Sequence, residues 1–179
     1  MIKYARIVLQ DCKYAIAKHS IQMQAEEFRV SWISIITLLR AVGHVLKEKD
    51  SQTSPVHKKV IDEKWDKLYA TKPSPKILWK FIIKERNRFL KEYEHNISRD
   101  GHLGINPSGN NSILLSFDMA NSRGNTVSSD KLQIKSVLSS GEYKNQNEKD
   151  VAWMAYNWWD NYLNEIDSLI SEQENTETK

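Results

Sequence analysis

The chain has 179 residues, 40% of them apolar and 27% charged, with a net charge of +3. That length suits one domain able to bury roughly two-thirds of the surface its unfolded form exposes, and the apolar content excludes a disordered polyelectrolyte. Cys12 is the single cysteine, so a disulfide-stapled fold is excluded, and with no secretory signal pattern near Met1 a reducing cytoplasm is the expected location.

Residues 3–18 read as a helix with Tyr4, Ile7, Val8, Cys12, Ala15 and Ile16 on one side. From Ile21 to Lys49 the apolar residues Phe28, Trp32, Ile35, Ile36, Leu39, Val42 and Leu46 recur at spacings of three and four, which predicts the central helix. Gly43 lies inside it, where glycine costs about 1 kcal/mol relative to alanine, so a close approach by a neighbouring helix, ahead of a ligand, is expected there. Ser54-Pro55 is a helix start, with Ser54 as cap and Pro55 at the first helical position, and a helix to about Tyr69 follows. The same grammar at Ser74-Pro75 opens a helix running to about Asn96, whose inward stripe reads Leu78, Ile82, Glu85, Phe89 and Tyr93.

Between residues ~100 and ~145 the texture turns to Gly, Asn and Ser, with two short apolar runs at 113–117 and 132–138. The second alternates as a half-buried strand does, which predicts a small antiparallel β insertion. A last helix from about Asn147 to Ser171 carries Val151, Ala155, Trp158, Tyr162, Ile166 and Leu169 on one face, and residues ~172–179 are expected to fray. The fold class expected is therefore mainly α, a single domain over 1–179 built as an antiparallel four- to five-helix bundle with a β insertion before its last helix. No uncharged apolar stretch of membrane-spanning length is evident, so no membrane partner is expected.

Chemistry is constrained first by what is missing. The chain has no phosphate-cradling glycine pattern followed by Lys-Ser/Thr, no Cys/His set with zinc-ligand spacing and no Gly-x-Ser-x-Gly elbow, so neither metal nor cofactor is expected. What remains is polar residues inside apolar helices. Arg40 and His44 are four apart and share a face of the central helix, while Glu85, Arg86 and Asn87 follow one another on the later helix. A buried carboxylate requires a partner, so Arg40 or His44 meeting Glu85 would be either an ion pair that fixes helix register or a poised Arg–His–Glu cluster. Charge is also uneven: residues 47–84 carry ten Lys against five Asp/Glu, and residues 142–179 three against nine. The aromatic run Trp153, Tyr156, Trp158, Trp159 and Tyr162 has core spacing, and any ring left exposed would suit a protein interface or base stacking.

Arg88 and His95, separated by six residues, make an Arg-x6-His pattern that resembles the HEPN superfamily of helical-bundle proteins. The resemblance implies a homodimeric, RNA-associated protein, either a metal-independent endoribonuclease of a toxin or defence system or a degenerate relative. Arg88 would then stabilise phosphate charge and His95 would assist proton transfer. The other expectation is a non-enzymatic module whose helical face or β insertion binds a protein partner, including a second copy of itself.

Overall fold

The computed structural model describes residues 1–105, 113–118 and 132–177, with side chains described at 1–99 and 135–176. Helices dominate: α1 (Tyr4–Lys18), α2 (Ala25–Glu48), α3 (Pro55–Ala70), α4, whose first turns Ile77–Ile82 are π-helical and continue as α-helix over Ile83–Glu92, and α5 (Glu148–Glu177). Between α4 and α5 lie β1 (Ile97–Ile105), β2 (Ile113–Asp118) and β3 (Leu132–Leu138), an antiparallel sheet in the order β2-β1-β3. Its register sets Gly101 opposite both Phe117 and Ile134, with Ile97 opposite Leu138 at the helix-proximal end.

The central-helix reading holds for its buried stripe, although the helix begins at Ala25 and not at Ile21. All seven expected residues of α2 are buried, and α1, α4 and α5 pack against it. By length and composition α2 could also cross a membrane; here its apolar stripe is covered by the other helices. Gly43 is where the indoles of Trp159 and Trp65 come closest, and a Cβ there would lie 2.8 and 2.9 Å from their outer carbons. Ser54 caps α3 as expected, accepting from the His57 backbone N–H at 3.2 Å behind Pro55.

Four further boundaries or phases differ from the sequence reading. The buried line of α1 is Ala5, Leu9, Cys12 and Ile16, so Tyr4 and Ile7 turn outward. On α5 the core tryptophan is Trp159, fully buried, whereas Trp158 is half-buried and stacks on Tyr162 at 5.3 Å. That helix also continues to Glu177, so residues expected to fray from 172 are helical to that point. Helix α4 stops at Glu92 instead of Asn96, because Tyr93 adopts the left-handed conformation that closes a helix, φ 54° and ψ 31°. The chain then enters β1, a strand that begins at Ile97.

Buried polar contacts close one end of the sheet and tie β1 to the connection between α1 and α2. Asn96 accepts from the Ser139 and Ser140 hydroxyls at 2.8 and 2.7 Å and donates to the Ser140 carbonyl at 2.7 Å. Arg99 donates to the carbonyls of Ile21 and Met23 at 2.6 and 3.0 Å while its guanidinium lies 4.4 Å over the Phe28 ring. Isolated short strands are marginal in water, so these anchors and the burial of Ile97 and Leu138 help set the sheet's place.

Candidate functional site

Helix α4 presents three faces, and the residues singled out in the sequence divide among them. The inward face holds Glu85, 5% exposed, whose Oε1 lies 3.5 Å from Arg88 Nη1. Asn96 adds hydrogen bonds from its side chain and backbone. Burial still dominates and pushes the Glu85 carboxyl above the usual carboxylate range, the nearby Arg88 charge and the Asn96 hydrogen bonds offsetting it only in part. Arg88 also donates to Ser140 Oγ at 3.4 Å.

Arg86 turns the other way, towards α2. Its charge bears on both Arg40 and His44, which makes the meeting of α2 and α4 a cationic cluster and not an Arg–His–Glu set. Arg40 is held below the usual guanidinium range, first by burial, with Arg86 adding to it and Tyr69 opposing. His44 is exposed, and burial together with Arg40 and Arg86 holds its imidazole below the ordinary value. The expected partnership of Arg40 or His44 with Glu85 is thus replaced. Helical phase explains it, since Glu85 and Arg86 are adjacent and point roughly 100° apart.

Arg88 and His95 also part company. His95 lies beyond the end of α4, and its pKa is lowered first by burial and then by the Arg29 charge, with Arg99 contributing. Its Nδ1 and the Nε of Arg29 and of Arg99 are buried without hydrogen-bond partners. Arg88, by contrast, is turned to Glu85 and Ser140. Asn87 accepts from Arg86 at 3.1 Å.

Two concavities flank α4. Between α2 and α4 runs a narrow groove walled by Trp32, Ile36, Arg86, Phe89 and His95, whose free space of ≈ 10 Å³ is about that of one water. On the opposite side an open basin of ≈ 450 Å³ is lined by Trp79, Ile83, Lys84, Asn87, Arg88 and Lys91, with Glu92 at its rim. Trp79 is 9% exposed and its indole N–H donates to the Ser74 carbonyl at 3.1 Å, so it forms wall rather than stacking platform.

The basin belongs to a longer line of cations. Lys76, Lys80, Lys84, Arg88 and Lys91 follow one another at spacings of four, four, four and three along the exposed side of α4. Lys76 pairs with Glu142 at 2.5 Å, while Lys80, Lys84 and Lys91 are exposed with no acidic partner within ion-pair distance among the described residues. Among those residues, too, no group of three or more His, Cys, Asp or Glu is placed to hold a metal.

A second polar cluster had no signal in the sequence because its members come from four separate elements. Glu148, 2% exposed at the start of α5, accepts from Ser136 Oγ of β3 at 2.6 Å and lies 3.6 Å from His19 Nε2. His19 Nδ1 in turn meets Ser31 Oγ of α2 at 2.9 Å. Burial would raise the Glu148 carboxyl, but the Ser136 hydrogen bond and the nearby His19 ring outweigh it and hold the group below the usual range. An open cavity of ≈ 720 Å³ borders this cluster, with Lys18, Lys135 and Asn147 at its wall.

No family model, curated protein or solved structure matches the chain.

Proposed function

We propose that the protein associates with RNA through the cationic side of α4, in a helical-bundle architecture of the HEPN-like kind. The observation that carries this reading is the alignment of Lys80, Lys84, Arg88 and Lys91 beside an open basin, the three lysines without an acidic partner among the described residues. Phosphate neutralisation by such a line releases counterions and supplies sequence-independent affinity. Arg88 is the fixed member, since Glu85 and Ser140 orient its guanidinium before any ligand arrives, and a pre-oriented fork loses less entropy on meeting a phosphate. The lysines then act as point charges along the same backbone.

Binding, rather than cleavage, is what this arrangement favours. Arg88 and His95 are held by different partners, and the helix expected to carry both stops between them. With Trp79 sealed, the basin offers no exposed ring for a base, so affinity would be indifferent to sequence. The test is a salt titration of binding to a single-stranded RNA oligonucleotide. Lys80→Gln, Lys84→Gln and Lys91→Gln combined are expected to weaken binding at low salt and to flatten the slope of log K against log [salt] by about 2, at roughly 0.7 per phosphate contact. No measurable binding at low salt, or an unchanged slope in the triple variant, would remove α4 as the interface.

A further inference from the structure

Helical phase divides the adjacent tryptophans of α5. Trp159 enters the core, whereas Trp158, roughly 100° round the helix, is left half-buried where α5 meets α3. There it borders an open cavity of ≈ 430 Å³, within the roughly 300–1,000 Å³ of small-molecule sites. Trp158 and Tyr162, one turn apart, set their rings 5.3 Å from each other and within 25° of parallel, so that they make one aromatic wall. The buried Leu68 of α3 adds an apolar patch to it. This cavity shares no lining residue with the basin beside α4, so what it holds is independent of RNA association there.

Three polar groups on the cavity wall are uncommitted. The Trp158 indole N–H, the Asn161 amide and the Lys67 ammonium make no hydrogen bond or ion pair with any described residue. Lys64, by contrast, is held: its ammonium pairs with Glu165 at 2.6 Å and lies 5.1 Å from the centre of the Tyr162 ring. Two lysines against one glutamate leave a single positive charge at the site, and it sits on Lys67. All three uncommitted groups can donate, so they suit the oxygens of a ligand carrying one negative charge. A phosphate dianion would leave charge uncompensated close to Glu165, where two like charges repel. We propose that this cavity binds a planar aromatic carboxylate, its ring laid along Trp158 and Tyr162 and its carboxylate at Lys67. Asn161 and the Trp158 N–H then meet the oxygen lone pairs that Lys67 does not use. The aromatic wall supplies burial, and the lysine fixes which end of the ligand enters first.

Isothermal titration calorimetry of the full chain at low ionic strength, with 2-naphthoate, its neutral amide and adenosine monophosphate as probes, tests the assignment. The naphthoate is expected to bind once per chain, and more tightly than either the amide or the nucleotide. Lys67→Gln changes an exposed side chain without a partner, so the fold is not at stake. It should weaken naphthoate binding about three- to fivefold, the worth of one partly screened charge, and leave the affinity for the amide as it was. Trp158→Leu, checked for an intact fold by far-UV circular dichroism, should weaken acid and amide alike by about tenfold. No binding of naphthoate at millimolar concentration, equal affinities for acid and amide, or either variant binding the acid as the parent does would overturn the proposal. Tighter binding of adenosine monophosphate than of naphthoate would overturn it in favour of a nucleotide.

Discussion

Glu148 and Glu85 are both nearly sealed from solvent, yet their surroundings move them in opposite directions. For Glu85 burial prevails, whereas for Glu148 the Ser136 hydroxyl and the nearby His19 ring prevail over it. A carboxyl held below its unfolded value adds stability that is present above that value, near 4.5, and is lost as pH falls through the lower folded value. Glu148→Ala removes this contribution and leaves the Ser136 hydroxyl without its acceptor inside the protein. The expected cost is about 1–3 kcal/mol near neutral pH, the range for leaving a buried hydrogen-bonding group without its partner. In urea unfolding, the gap between parent and variant should narrow as pH drops below 4.5. A gap that stays constant from neutral to strongly acid solution would mean that Glu148 acts by packing alone.

At the scale of elements, α2 is the part of the fold most directly dictated by local pattern, and Gly43 is its sharpest constraint. Replacing it by alanine should gain about 1 kcal/mol of helix propensity. The added Cβ, however, would stand 2.8 Å from Trp159 and 2.9 Å from Trp65, and Trp159 is fully buried with no slack to move into. Overpacking of this kind costs about 1–3 kcal/mol, so Gly43→Ala is expected to lower the melting temperature despite the better helix former. A raised melting temperature would show that the indoles yield. The seven apolar residues of α2 were legible because periodicity alone fixes which side of a long helix is buried. The end of α4 was not, because Tyr93 closes the helix and Asn96 is engaged by Ser139 and Ser140, far along the chain. Of the candidate site, the burial of Glu85 was readable from its place in an apolar stripe, but its partner was not. Choosing between Arg88 and Arg40 requires knowing the rotation of α4 against α2, which no single helix encodes. The His19–Glu148 contact has the same origin, since its members converge only through the tertiary fold.

For the molecule as a whole, α1 has the most telling attachment. Lys3 provides no side-chain cap, so the first N–H groups of α1 would lack acceptors within their own helix. Asp50, just past the end of α2 and 1% exposed, supplies them: its Oδ1 accepts from the backbone N–H of Lys3 and Tyr4 at 2.8 and 2.9 Å, and Oδ2 from that of Ala5 at 2.8 Å. Asp167 of α5 meanwhile accepts from the Ile2 N–H at 2.5 Å and from Arg6, and at the other end of α1 His19 reaches Ser31 and Glu148. One helix is thereby fastened to α2 and α5 at both ends. A capping side chain is worth about 0.5–2 kcal/mol, and leaving three donors without their acceptor raises the cost of Asp50→Ala to roughly 2–4 kcal/mol. The six tryptophans lie at 32, 65, 79, 153, 158 and 159, none of them on α1, which separates two outcomes. If α1 merely detached, far-UV circular dichroism would lose helix while tryptophan emission kept the parent's urea midpoint. With α1 fastened across α2 and α5, both signals should shift together to a lower midpoint with coincident transitions. Midpoints that separate would show α1 to be an independent layer.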